Sequence, residues 1–457
     1  MQPSYTRLKT DLIQPLFRCL IPLIVLLGLL PWLFSCQSSV TPDTELISTS
    51  PTPPMTATPR PSPTPLVIPD KTPDDEPIML RLWVIEPISH KASGQQGIFI
   101  DRTIRTFVRN HPQVDVEEPI LKKGTGKGGM LDFLRTSREV APDVLPDLAI
   151  MNAIDLQQAY NEGLIIPLDN HLDSTIVQDL LPAARRLGTV DDKLAGLPIS
   201  MVMEHLIHQT ELLTVTPIIW QDILTEGIRY SFPTRGVNGW VNDVTLSQYF
   251  SAGGMLLDDQ GVPQIDQQVL RTVLENYQKG IELGVIDPDM LQNATNELLW
   301  QSYLEQESNV SQVTVEQFLT DGHGLENSTF AAGPLENGDQ TSIAITHGWV
   351  FVLVTPDEHR QSAAINFMEW FLSTSNNANW NNINHSIPAR DSAYQRLARN
   401  SFYWQFLAEQ LNSAVPHPRF PGYDQVGRIL QQAVQEVMTG EASPNEAAAN
   451  AIDALTH

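Results

Sequence analysis

The stretch VDDKLAGLPISMVMEHLIHQTELL, residues 190–213, decides how this chain is read. It opens on a polar turn at Asp191-Asp192-Lys193, passes Gly196 and Pro198, and is apolar from Leu197 to Ile207 with few charges. Glycine and proline bounding a short apolar run mark a buried strand leaving a turn. Gln209-Thr210-Glu211-Leu212-Leu213 then reads as the start of a helix. A strand that enters from a turn and hands the chain to a helix is one step of an α/β domain.

The same alternation extends outward on both sides. Residues 78–85 (IMLRLWVI) alternate around Arg81 as a strand, and residues 98–110 place Phe99, Arg102, Thr103, Thr106 and Phe107 at helical spacing. His111-Pro112 stops that helix, and Val114 to Glu117 resumes as strand. Residues 145–150 form a short strand after a turn, residues 155–161 a helix, and Gly163 fits a left-handed helix cap with Leu164 packing back. Strand and helix in alternation imply a parallel sheet with helices on its faces. Further on, Gly253-Gly254 allows a helix end to turn tightly into a strand. Residues 264–280 hold a helix with Val269, Val273, Leu274 and Tyr277 on one face. Residues 338–355 read as a strand, a break at His347-Gly348-Trp349 and a second strand, and residues 360–372 as a helix burying Phe367, Met368 and Phe371. A helix from Tyr423 to Met438 and another opening at Gly440 close the chain.

A chain of 457 residues exceeds one small core and predicts two or more domains. Its 53 acidic against 28 basic residues give a net charge of -25, spread along the chain, which repels phosphates and argues against nucleic acid or an anionic membrane surface as partner. Both cysteines, Cys19 and Cys36, precede the folded part, which therefore lacks a disulfide, a cysteine nucleophile and a thiolate metal site. No His-Glu-x-x-His, no Gly-x-Ser-x-Gly and no ligand-spaced histidine pair occurs, and no cofactor or metal is expected. Lys122 to Gly129 (KKGTGKGG) fails as a phosphate loop, because Gly128 stands where Ser or Thr is required and Leu121 where the first glycine is required.

The start of the chain reads as an address and a tether. Arg7, Lys9 and Arg18 precede an apolar run at residues 20–34, which is short for a membrane span and interrupted by Pro22, Gly28 and Pro31. Leu33-Phe34-Ser35-Cys36 resembles the lipobox of a bacterial lipoprotein, with Cys36 lipidated; an uncleaved signal anchor is the other reading. Residues 40–77 are rich in Pro, Thr and Ser and lack a core pattern, so they form a semi-rigid spacer. At about 3.1 Å per residue the spacer reaches on the order of 100 Å.

Taken in order, the motifs of residues 78–457 resemble the extracellular solute-binding proteins of the maltose-binding kind. The resemblance rests on Phe107…His111-Pro112-Gln113-Val114-Asp115-Val116, on Leu145-Pro146-Asp147 followed by Tyr160-x-x-Gly163-Leu164-x-x-Pro167-Leu168-Asp169, and on Lys193, Gly196 and Pro198 of the opening stretch. It continues through Gly253-Gly254-Met255-Leu256-Leu257-Asp258, Ile387-Pro388-Ala389-Arg390 and the closing Gly440 to Ala447 segment. His208-Gln209 stands in place of the family's Tyr-Asn pair after the hinge strand.

The resemblance implies a two-lobed α/β periplasmic-binding-protein fold of type II, each lobe a mostly parallel sheet flanked by helices, joined by a multi-strand hinge. It implies a signal peptide at 1–35, a linker at 36–77, a first lobe of 78–200 with 328–375, and a second of 201–327 with 376–457. Closure of the lobes on a small solute, most naturally a sugar and otherwise a polyol phosphate, a peptide or another small polar solute, would hand it to an ABC permease. The chain would be a monomer, held at the membrane by its lipid and binding no nucleic acid. Aromatic faces stack on sugar C–H faces while polar groups take the hydroxyls, so the ligand-binding candidates are Trp83, Glu86, Trp240, His347, Trp349, Arg419 and Tyr423. Pro198, Met201 and Glu204 are the hinge candidates. Within the family an aromatic pair in the last-but-one helix stacks on sugar; here that segment reads Gln425-Val426-Gly427-Arg428. Two other classes stay open: a secreted glycosidase using paired carboxylates, and a sensor or structural protein that kept the binding fold.

Overall fold

The computed structural model describes residues 77–213, 218–293 and 295–456; the expected signal, the spacer and the lipidation residue Cys36 lie outside them. Among the described residues no helix is long and apolar enough to cross a membrane.

The stretch that opens the sequence reading is the centre of the fold. Ten strands make one sheet: β1 (Leu82–Ile85), β2 (Ile120–Lys122), β3 (Leu148–Asn152), β4 (Leu197–Gln209), β5 (Tyr230–Ser231), β6 (Val310–Thr314), β7 (Ser328–Ala331), β8 (Ile345–Leu353), β9 (Ile387–Pro388) and β10 (Val415–Pro416). Its path runs β2-β1-β3-β8-β4-β6-β5, with β7 and β9 also on β4 and β10 on β8. The parallel pairings expected from the βαβ alternation occur towards its ends, in β1–β2, β1–β3 and β6–β5. The middle is antiparallel apart from the short parallel pair β8–β10, because β8 and β4 carry the chain between lobes in opposite directions. β4 is buried along most of its 13 residues, as the near-continuous apolar run requires of a strand covered on both faces.

Two expectations change at this centre. Gln209 to Leu213 does not begin a helix: β4 runs through Gln209, which pairs with Ser328 of β7, and the chain then turns. Sheet pairing overrides the local helical pattern there. His347-Gly348-Trp349 does not break a strand either. β8 is continuous, and the irregularity is a register shift against β4 between Trp349 and Val350. Gly348 is required at this crossing, since a Cβ there would lie 2.2 Å from the carbonyl oxygen of Ser200.

The helices that matter here are α1 (Gly94–Asn110), α2 (Asp243–Ser251), α3 (Gln267–Glu282), α4 (Glu358–Phe371), α5 (Thr374–Ile383), α6 (Tyr423–Met438) and α7 (Pro444–Thr456). Side chains divide into two hydrophobic cores. The first packs α1, α4 and α5 on β1, β3 and β8 through Phe99, Phe107, Phe351, Phe367, Phe371 and Trp380. The second packs α2, α3, α6 and α7 through Leu246, Tyr249, Leu274, Tyr277, Val434 and Ala448. Ile387, Tyr394, Trp404, Leu407 and Ala414 belong to the first core, and the second resumes with Val415 and Tyr423. The return crossing, expected near residue 375, therefore falls at β10. Trp300, Val313 and Phe318 also join the first core, where Phe318 stacks on Tyr403 at 4.3 Å.

One buried ion pair braces the first lobe. Asp147, 3% exposed, takes two hydrogen bonds from Arg360 of α4 and one from the backbone of Arg81. In the second lobe Asp266 caps α3 by accepting from the amide of Val269 at 3.0 Å. Asp266→Ala should lower unfolding free energy by about 1 kcal/mol in urea denaturation, the usual contribution of an N-cap side chain.

Candidate functional site

Two adjoining cavities of about 620 and 500 Å³ open between the cores and share Thr125, Gly126, Ile154 and Asn238. The first lobe contributes the glycine-rich loop at Thr125-Gly126 and the segment after β3, with Asn152, Ile154, Asp155 and Gln158. The second contributes Asn238, Trp240, Phe420 and Tyr423. The segment that failed as a phosphate loop is thus one lip of the cleft. Trp349 supports that lip from behind: a Cβ on Gly124 would lie 2.8 Å from its ring.

The aromatic wall is assembled from separate elements. Asn238 and Gly239 adopt positive φ of 56° and 76°, which turns the chain so that Trp240 lies against α6. Gly427 makes room for it, since a Cβ there would sit 3.1 Å from the Trp240 side chain. Trp240 stacks on His417 at 5.6 Å and meets Tyr423 edge-on at 5.4 Å. The helix segment that lacks the family's aromatic pair thereby carries an aromatic delivered from another loop.

The cleft floor is polar. Asp243 opens α2 behind the Asn242 cap, and its two carboxylate oxygens accept from His347 at 2.6 Å and His417 at 2.9 Å. Burial alone would push the Asp243 carboxyl up; the charge and hydrogen bonds of the two histidines outweigh it and hold it well below the usual carboxylate range. Burial lowers His417, whereas in His347 the same effect is overcome by Asp243, which raises it. Glu204 projects from β4 into the same cavity, pushed up to about 8 by burial and then by Asp243. Its Oε2 is shut off from solvent and has no hydrogen-bond partner among the described residues. Beside the aromatic wall, Asp155 is pushed up to about 6, by burial first and by Asp132 second.

The expected site residues are thus only partly brought together. Trp240, Arg419 and Tyr423 line the larger cavity, and Glu204 and His347 the smaller. Arg419 is a strut: its guanidinium donates to the carbonyls of Ala153, Arg186 and Thr189 in the first lobe, and burial lowers it to about 10. Trp83 is a core residue, 2% exposed, because β1 lies between β2 and β3 and Phe133 covers it edge-on. Glu86 is exposed and lines neither cavity. Pro198 and Met201 are buried where β4 meets β8. No local sequence pattern singles out Asp155, Asp243 or His417. Asp243 bonds to residues 104 and 174 positions away, a proximity no spacing rule reveals.

The fold and cleft define a two-lobed binding protein rather than a single-core domain. The chain belongs to the bacterial extracellular solute-binding proteins, whose family model matches residues 135–405. Among solved structures it resembles the cyclic alpha-maltosyl-1,6-maltose binding protein of Arthrobacter globiformis, with 19% identity, 83% of this chain and 98% of that one covered, and a TM-score of 0.67. It also resembles the sugar-binding protein MalE of Xanthomonas citri, at 16% identity, 83% and 97% coverage and a TM-score of 0.66. A third is an ABC transporter solute binding protein of Thermotoga lettingae bound with alpha-D-tagatose, at 19% identity, 83% and 98% coverage and a TM-score of 0.63. At such identities the likeness establishes the fold. Comparison with curated protein sequences gives no match.

Proposed function

We propose that the protein captures a small carbohydrate between its lobes outside the cytoplasm and delivers it to an ABC permease, acting as a monomer tethered through a lipid on Cys36. The observation that carries this reading is the pairing of surfaces in the larger cavity. Trp240, Phe420 and Tyr423 offer apolar rings, while Asp155, Gln158 and Asn161 offer hydrogen-bonding groups. Sugars need both, since their ring faces are apolar and their rims carry hydroxyls. The sugar names of the structural relatives and the lipobox-like Leu33-Phe34-Ser35-Cys36 support the same reading.

The test is a thermal-shift screen with maltose, maltotetraose, tagatose, polyols and short peptides. A ligand at 100 times its Kd stabilises the native state by about 2.7 kcal/mol, a shift of several degrees. A shift with a sugar and no consumption of it supports capture, turnover supports a glycosidase, and no shift across the panel defeats the reading.

Asp155 gives a second, pH-resolved expectation. Its pKa is raised from 3.8 to about 6, so folding favours the neutral acid, and stability falls as pH rises through that window. Asp155→Asn removes the charge that is unfavourable at pH 7. Allowing for its partial exposure, the variant should gain about 1 kcal/mol at pH 7 and nothing at pH 3.5, measured by denaturation at both pH values. The same variant should bind sugar more weakly at pH 7, because it loses a charged acceptor in the cleft.

A further inference from the structure

Two histidines and a carboxylate from distant parts of the sequence converge on the cleft floor. Asp243, His347 and His417 each present one ligand atom, and all three atoms lie within 4.8 Å of one another. The imidazole rings are 5.2 Å apart. Glu204 stands outside that 4.8 Å group but on the same face and in the same cavity: His347 pairs with Val202 across the sheet, so Glu204, two residues further along β4, projects from that face and reaches the group by a change of rotamer. Its inner oxygen has no partner among the described residues, whereas buried polar atoms in folded proteins are ordinarily paired.

The donor set is selective. Two imidazoles with carboxylates suit borderline divalent ions such as zinc, nickel and copper, whereas calcium and magnesium prefer all-oxygen shells. Zinc takes imidazole nitrogen and carboxylate oxygen at about 2.0–2.2 Å, which for a tetrahedron separates neighbouring donors by about 3.3 Å. The nitrogen–oxygen pairs are now hydrogen-bonded at 2.6 and 2.9 Å, so each must part by less than about 1 Å to admit an ion.

We propose that Asp243, His347 and His417, with Glu204 as fourth ligand, form a binding site for a zinc-like divalent cation at the base of the cleft. Three of the four ligands lie at the chain crossings: Glu204 on β4, His347 on β8 and His417 just beyond β10. The fourth, Asp243, begins α2 of the second lobe. A bound ion therefore ties the hinge to that lobe. This site lies beside the aromatic wall and requires no sugar, so its test is independent of carbohydrate capture.

The experiment uses the full chain, treated with chelator and titrated with zinc chloride by calorimetry, with cobalt(II) absorption as a second readout. One ion should bind per chain with Kd of about 10 μM or tighter, and cobalt should give the intense visible bands of four-coordinate geometry. Asp243→Asn and His347→Gln should each weaken zinc by about 100-fold or more, and Glu204→Gln by about tenfold. Melting of the metal-free variants checks their folding. Glu204→Gln differs from the parent by one group without a hydrogen-bond partner at Oε2, so it remains informative if the others unfold. Absence of binding at 100 μM zinc (about tenfold above that Kd), or zinc binding unchanged in the folded variants, overturns the proposal.

Discussion

Trp240→Ala should weaken binding of whichever sugar raises the melting temperature by about 30-fold, or ~2 kcal/mol, the loss expected when a central aromatic anchor is truncated. The ring is half-buried, with Gly427 close to its base and His417 stacked on it. Truncation removes the stacking platform and uncovers Tyr423 behind it. Trp240 stands on a turn at the cleft rim rather than in the centre of either core, so the apo protein should still unfold cooperatively, with a loss of about 1 kcal/mol. Trp240→Phe keeps a stacking face and should recover most of the affinity. Titration calorimetry of both variants checks this, and unchanged sugar affinity in the alanine variant would move the stacking surface elsewhere. Trp349→Ala should behave differently, because Trp349 props the Gly124 loop: both stability and affinity should fall, without rescue by phenylalanine.

Asp147→Ala should cost about 3 kcal/mol of stability, the low end for breaking a buried ion pair, because Arg360 keeps partial exposure. The carboxylate joins three segments: the backbone before β1, the start of β3 and helix α4. Its loss leaves the Arg81 amide and the Arg360 guanidinium without their acceptor. Among the described residues the guanidinium has only the Met79 carbonyl besides, through Nη2. Urea denaturation should show a lower midpoint with an unchanged slope. Since Asp147 lies away from the cleft, sugar affinity of the folded fraction should stay within twofold. A stable Asp147→Ala protein would show that α4 is held by its apolar face alone.

Local signals carried well from sequence to structure. Gly163 takes the left-handed conformation at φ 64°, as its place after a helix predicts. The helix from Tyr423 to Met438 begins and ends where the periodicity places it. The hinge strand was legible because glycine and proline bound a run too apolar for a loop. Its end was not, because the pairing of Gln209 with Ser328 depends on a strand more than a hundred residues away. The cleft was legible only through its aromatics: the expectation that rings stack on sugar named Trp240 and Tyr423, which line the larger cavity. Trp83 misled for the same reason that aromatics inform, since a ring at a strand end serves core and cleft alike. Of the carboxylate–histidine floor only His347 and Glu204 stood out in the sequence; Asp243 and His417 lie in unremarkable local contexts, and only the packing of α2 and the β10 segment on the sheet brings them together.

β4 bonds to β6, β7, β8 and β9, and so runs as a shared spine through both halves of the molecule. On the proposed reading, a spine of this kind would convert occupancy into tilt: what leaves the cleft would be an angle between two outer faces, and the identity of the cargo would stay behind. The permease proposed as partner, gripping both faces at once, would read spacing alone. The cargo-facing side chains are then free to change over evolutionary time while the docking faces remain as they are.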